Sequence, residues 1–265
     1  MRSIAKLMKD WQFTGPNGVT TAVELPHTWN ARDGQDGGND YWRGCCTYCT
    51  RFAAPVYDPA QQQVWLQFEG VNASAAVLLN GQQLCTHDGG YSTFRAEVTE
   101  LLQAENQLTV RVDNSVNDRV YPQKADFTFY GGIYRDVSLL VVNKNHIALG
   151  HFGDTGVKIT PTLKEGSADI RVETLVEGSG TVTVELLDAE GRTVAKGEGE
   201  NASLHLDAPH LWNGVKDPYL YTCVVRLLQD GQPVDEVTTR VGLRSFSVDA
   251  MCAACPSSCS PSAPA

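Results

Sequence analysis

Long apolar runs are missing from this chain, and no stretch approaches the roughly 20 apolar residues that a membrane-crossing helix requires. A helical membrane anchor is therefore not expected. The N-terminal run Met1-Arg-Ser-Ile-Ala-Lys-Leu-Met-Lys-Asp10 carries basic residues but lacks the continuous apolar core of an export signal. Basic clusters are missing too. No run of five Lys or Arg occurs, and 21 basic against 31 acidic residues leave a net charge of −10. A nucleic-acid backbone needs Lys and Arg gathered on one face, so that class of partner is excluded. Neutral sugars make no such demand. Histidines 27, 87, 146, 151, 205 and 210 show no His-x-x-x-His spacing, and neither a glycine-rich phosphate loop leading into a helix nor a nucleophile elbow is present. His27, after Pro26, reads as a hydrogen-bonded structural residue.

Eight cysteines without an export signal read as reduced thiols, and the expected compartment is the cytoplasm. Cys46-Thr-Tyr-Cys49 and Cys252-Ala-Ala-Cys255 each have zinc-ligand spacing. The pairs lie far apart, and adjacent Cys45 and Cys46 suit a strand better than a knuckle, so ordinary buried thiols are the favoured reading.

What the chain does have is a period of two. Val64, Leu66 and Phe68 alternate with polar-side neighbours, as do Leu108, Val110 and Val112, and later Val182, Val184 and Leu186. Such alternation marks strands with one face in a core and the other wet. Asn80-Gly81 between two short runs is a hairpin signal. Gly89-Gly90, Gly131-Gly132, Glu190-Gly191 and Asp230-Gly231 read as further turns. Helical periodicity is confined to one turn at Val98–Leu102.

The chain is expected to be all-β. Its 265 residues suffice for two domains with separate cores. The first, residues 1–143, reads as a double-sheet jelly roll and the second, residues 146–247, as an immunoglobulin-like sandwich, joined at Asn143-Lys144-Asn145. Residues 250–265 form an uncharged Cys/Ser/Pro/Ala segment with the composition of a disordered tail.

Ordered motifs add a family to this reading. Leu25-Pro-His-Thr-Trp-Asn30, Gly38-Asn-Asp-Tyr-Trp-Arg-Gly44, Phe68-Glu-Gly-Val-Asn-Ala73, His87-Asp-Gly-Gly-Tyr-Ser-Thr-Phe94 and Gly132-Ile-Tyr-Arg-Asp-Val137 follow one another. Asp217-Pro-Tyr-Leu-Tyr221 and Val241-Gly-Leu-Arg-Ser-Phe246 come later. Together they resemble the sugar-binding (galactose-binding-like) and immunoglobulin-like front domains of glycoside hydrolase family 2, the β-galactosidases and β-glucuronidases. In that family a (β/α)8 barrel of roughly 250 residues carries two catalytic glutamates. No Asn-Glu dipeptide, the family's acid/base signature, occurs here. The resemblance thus implies a non-catalytic portion of a retaining β-galactosidase-type enzyme, partnered by a barrel, a β-galactoside and further subunits of an oligomer.

The same resemblance supplies the candidate site. It places Asp126 where the family's first domain reaches the galactosyl hydroxyls, with a bound sodium ion as Asp126's metal partner. It points the loop with Asn39 and Asp40 at the pocket entrance. The plain alternatives are a turn-capping acid and a flexible polar loop. No cofactor is expected within the chain, with sodium or magnesium implied for the full-length family. Trp42, Tyr91, Phe127, Phe129 and Tyr130 are either a sugar-stacking platform or loop packing, and Trp29 reads as core. A free-standing carbohydrate-binding module and a structural interaction protein remain the other functional classes.

Overall fold

The computed structural model describes residues 1–31, 41–122 and 127–246. Strands dominate them, and the helical turn expected at Val98–Leu102 is a 3-10 turn at Thr99–Leu101. No helix among the described residues is long and apolar enough to cross a membrane. Contacts divide the chain into two units. One comprises Arg2–Lys144 with Leu149–Asp154, the other Asn145–Ala148 with the chain from Thr155 onward.

The first unit is a jelly-roll β-sandwich. A six-stranded sheet runs in the order Thr20–Val23, Trp11–Thr14, Cys45–Ala53, Glu105–Asp113, Ser74–Leu79, Gln82–Asp88. A four-stranded sheet runs Ser3–Lys6, Val137–Asn143, Gln62–Phe68, Phe94–Glu97. Alternation decides which side chains enter the core: Val64, Leu66 and Phe68 come from one sheet, and Tyr48, Val77, Leu108, Val110 and Val112 from the other. The period-two reading therefore holds here. Asn80 and Gly81 have φ of 52° and 84°, the left-handed pair that a two-residue hairpin loop needs to match strand twist.

Val137–Asn143 does not alternate, because both of its faces are covered. Val137, Leu139 and Val141 enter the main core, whereas Leu140 and Val142 pack with Leu149 and Trp65. Leu149 belongs to the short return segment Leu149–Asp154. Arg95 fastens that segment by donating from Nη1 to the Leu149 and Asp154 carbonyls at 2.9 and 2.8 Å. The sequence reading places one junction at Asn143–Asn145, and the contacts add this return.

The second unit is an immunoglobulin-like sandwich of three strands (Val157–Lys164, Ser167–Thr174, Asn201–Asp207) and four (Thr193–Glu198, Thr181–Leu187, Tyr221–Gln229, Gln232–Val241). Its core takes Ile170, Val172 and Leu204 from the first sheet and Val184, Leu186, Cys223, Val225 and Leu227 from the second. A fully buried carboxylate, Asp235, accepts the Ile147 N–H at 2.8 Å, satisfying a buried backbone donor.

Gly131-Gly132 departs from expectation. It is not a free turn. Gly132–Ile133 is a strand paired with His27–Thr28 on one side and Val71–Asn72 on the other. The glycines are demanded by packing: a methyl group on Gly131 would overlap the Trp29 ring, and one on Gly132 the His27 carbonyl. Overpacking of this kind costs about 1–3 kcal/mol. Gly131→Ala is expected to lower the unfolding free energy by about 1 kcal/mol or more, read as a lower denaturant midpoint by tryptophan fluorescence. Gly15→Ala, whose methyl meets its nearest neighbour at 3.4 Å, should leave the midpoint in place. Equal midpoints for wild type and Gly131→Ala would refute the packing account.

Candidate functional site

One end of the first sandwich gathers the loops that the sequence motifs mark. Three short amides hold it together from behind. Asn30, fully buried, donates from Nδ2 to the Trp42 carbonyl at 2.9 Å, and its Oδ1 accepts the Gly131 N–H at 2.7 Å. Asn114, also fully buried, donates to Asn30 Oδ1 at 3.1 Å and to the Phe129 carbonyl at 3.0 Å, and accepts the Gly44 N–H at 2.9 Å. Asn72 donates to the Tyr130 carbonyl at 2.8 Å. Three amides thus hold backbone groups on three consecutive residues, Phe129, Tyr130 and Gly131. Thr28 Oγ1 adds a bond to the Gly131 carbonyl at 2.8 Å.

The same network joins this loop to Tyr41–Gly44. Phe129 N–H donates to Tyr41 Oη at 2.9 Å. Arg43 donates from Nε to the Asn114 carbonyl at 2.9 Å, and its guanidinium carbon lies 4.9 Å from the Phe129 ring centre and 5.5 Å from that of Tyr41. Cation–π attraction of about 0.5–2 kcal/mol offsets part of the cost of withdrawing that charge from water. Arg43, Asn72, Val116, Asn117, Val120, Pro122 and Phe129 surround a small depression here.

Asp126, Asn39 and Asp40 lie outside the described residues, as does the sodium ligation implied for Asp126. Of the aromatic candidates, Trp42, Tyr91, Phe127 and Tyr130 are exposed. Trp29 packs against the core as expected and meets Trp42 edge-on at 6.0 Å. Tyr91 sits 6.3 Å from Tyr134, whose hydroxyl donates to the Gly90 carbonyl. Phe127 and Phe129 are 5.2 Å apart.

Two bland readings gain support. His27 Nδ1 lies 2.7 Å from Tyr48 Oη inside an aromatic cluster with Phe13, a structural role. Cys46 and Cys49 fall on opposite faces of one strand, Cys46 inward, so they cannot share a metal ion. Burial pushes the Cys46 thiol up to about 12, far from the thiolate that zinc binds. Among the described residues no group of three His, Cys, Asp or Glu is placed to hold a metal. Cys252, Cys255 and the 250–265 segment lie outside the described residues.

Comparison with known proteins fits these features. Residues 38–162 match the model described as "Glycosyl hydrolase 2 galactose-binding domain-like", and residues 151–244 match "Glycosyl hydrolases family 2". The chain belongs to glycosyl hydrolase family 2. It is 33% identical over 266 residues to a β-glucuronidase of Bacteroides fragilis, covering 92% of this chain and 38% of the relative. It is 32% identical over 282 residues to the β-galactosidase BoGH2A of Bacteroides ovatus, covering 91% of this chain and 31% of the relative. Among solved structures, the FMN-binding β-glucuronidase from Facaelibacterium prausnitzii L2-6 superposes with a TM-score of 0.88 at 36% identity, over 94% of this chain and 40% of that one. The chain therefore spans well under half the length of these family 2 relatives, and what it matches is their non-catalytic N-terminal domains.

Asn30, Asn72 and Asn114 are the site residues that sequence reasoning did not single out. Asn30 ends one motif, Asn72 lies inside another and Asn114 follows the Glu105–Asp113 strand, but Asn is common at turns and strand ends, so position alone carried no signal. Asn114→Ala removes a donor pair and an acceptor from a dry site, which costs upward of about 2 kcal/mol when partners are left unsatisfied. The expected readout is a lowered unfolding midpoint with faster hydrogen exchange at the Gly44 amide. An unchanged Gly44 exchange rate would contradict the latch.

Burial lowers the pKa of His27 below its ordinary 6.5, and burial is also the leading cause of the lowered value at His87. A lowered pKa means the unfolded chain takes the proton first. The stability tied to neutral imidazole is thus complete above pH 6.5 and is lost as pH falls through the lowered value. The fluorescence-detected melting temperature, dominated by Trp11, Trp29, Trp42 and Trp65 of the first sandwich, should fall as pH drops below 6.5. A His27→Gln/His87→Gln variant should show a shallower decline. An identical slope in the variant would remove these histidines from the account.

Proposed function

We propose that the two sandwiches serve a family 2 β-glycosidase that cleaves terminal β-galactosides or related β-glycosides with retention. In this reading the first sandwich forms part of the rim of a sugar pocket and the second links it to a catalytic barrel. The observation that carries it is the loop end held by Asn30, Asn72 and Asn114, an exposed aromatic surface whose backbone is fixed from within. Asp126, Asn39 and Asp40 are proposed to reach sugar hydroxyls, with sodium at Asp126 and sodium or magnesium in the whole enzyme. In support, residues adjoining those positions, Tyr41 and Phe127–Phe129, lie on this end and are joined by the Phe129–Tyr41 bond. Subunit association into an oligomer belongs to the same proposal.

By itself the chain is proposed to be catalytically silent, since glycoside cleavage needs two carboxyl groups held roughly 5–10 Å apart across the bond. Purified chain given nitrophenyl β-galactoside and nitrophenyl β-glucuronide should release nitrophenol no faster than a mock preparation. Turnover above the mock would overturn the reading.

A second reading, a free-standing carbohydrate-binding module, draws on the exposed Trp42, Tyr91, Phe127 and Tyr130 rings. Isothermal titration separates the two. A pocket rim alone binds galactose and lactose weakly or not at all, whereas a module binds one of them tightly.

A further inference from the structure

The outermost strand of a sheet carries a row of unpaired N–H and C=O groups that any extended chain can pair with. Proteins blunt such edges with charge, proline or a bulge, and this chain does so repeatedly. In the first sandwich, Ser3–Lys6 carries Lys6 and Phe94–Glu97 carries Arg95 and Glu97. Gln82–Asp88 carries Asp88 and meets its neighbour through a register shift between Val77 and Leu78. In the second, Val157–Lys164 has Lys158, Pro161 and Lys164, and Thr193–Glu198 has Lys196 and Glu198. Asn201–Asp207 has His205 and Asp207, and Gln232–Val241 has Pro233, Glu236 and Arg240.

Thr20–Val23 is the exception among edge strands of this length. It reads Thr-Thr-Ala-Val, with no charge, no proline and no register shift. Among the described residues it pairs with Trp11–Thr14 alone, and Thr20, Thr21 and Ala22 are exposed. Parity fixes which backbone groups look outward. The Gly15 N–H donates to the Val19 carbonyl at 3.1 Å, and bonded pairs alternate with non-bonded ones along an antiparallel ladder. The bonded pairs are therefore Phe13–Thr21 and Trp11–Val23. Thr20 and Ala22 aim their N–H and C=O groups away from the sheet.

Those two positions complement each other across a two-fold axis. With the axis at Thr21, Thr20 of each copy faces Ala22 of the other, and each of these two pairs exchanges two backbone bonds. The same register sets Val19 against Val23. Val19 is 54% exposed, although it lies on the side of the hairpin that carries Phe13 and Trp11 into the core. We infer that a second copy of this chain docks at Thr20–Val23, joining two six-stranded sheets into one continuous sheet. Because the contact is isologous it closes on a pair rather than growing into a fibre. The inference gives a surface to the subunit association proposed above and does not depend on the sugar-facing reading.

Sedimentation of the full chain tests it. A contact this short is at the weak end, so a monomer–dimer equilibrium is expected with a Kd on the order of 0.1 mM at about 0.15 M salt. Each copy carries a net charge of −10, so the pair should weaken several-fold at low salt, where that repulsion is unscreened. Dimer formation should slow amide exchange at Thr20 and Ala22 and leave Thr21, whose N–H faces Phe13, unchanged. Ala22→Pro removes an outward N–H, a change an edge strand tolerates, and should abolish the dimer. Thr21→Lys sets like charges opposite each other on the axis and should weaken it at least tenfold; it serves alone if the proline variant does not fold. Mixing Thr21→Lys with Thr21→Glu should restore association as a heterodimer. A dimer that survives either substitution, or Lys and Glu variants that do not associate, overturns this edge while leaving subunit association intact. A chain that stays monomeric to about 1 mM overturns the edge as well, and subunit association would then rest on parts of the enzyme outside this chain.

Discussion

A loop holds a fixed shape at a protein surface only when its backbone is tied down from behind, and in the first sandwich that tie is made by buried asparagine amides. Asn30, Asn72 and Asn114 are short enough to be fully enclosed, yet each carries both a donor and an acceptor. With them the segment Phe129–Gly131, the Tyr41–Gly44 segment and the end of the Glu105–Asp113 strand become one polar unit. In a dry interior such bonds are strong because the alternative is an unsatisfied group. The glycines at 131 and 132 complete the arrangement by letting the Trp29 ring and the His27 backbone approach closely.

The network also explains how an aromatic-rich surface stays outside the core. Phe129 and Tyr41 hold each other through a backbone-to-hydroxyl bond and share the Arg43 guanidinium, so neither ring is available to collapse inward. Trp29 takes the opposite role, packing against the core and supporting Trp42 at the surface. Exposed rings on a rigid backbone are preorganised, and preorganised contacts lose less entropy when a ligand binds.

The second sandwich is simpler. Strand alternation fills its interior, and tight turns such as Asp230-Gly231, with φ of 50° and 75°, connect neighbouring strands. Asp188 closes another turn by accepting the Glu190 and Arg192 N–H groups at 3.0 and 2.8 Å. Asp235 shows that the second sandwich too fixes backbone by a buried side chain.

Local chemistry was sufficient for much of this. Alternation at Val64–Phe68, Leu108–Val112 and Val182–Leu186 specified strands and their inward faces, because side chains on a strand point alternately to opposite sides. The Asn80-Gly81 turn followed from φ preferences alone. The ordered motifs carried the family, and the opposed faces of Cys46 and Cys49 were implicit in their spacing once a strand was assumed. What only the tertiary structure decided was long-range: that Gly132–Ile133 is a packed strand rather than part of a turn, that Leu149 returns to cover Leu140 and Val142, and that Asn30 meets Asn114 across 84 positions. None of these depends on neighbouring residues, so no local period or turn preference could encode them. They arise where separate segments converge, and hydrogen-bond satisfaction and close packing settle the outcome there.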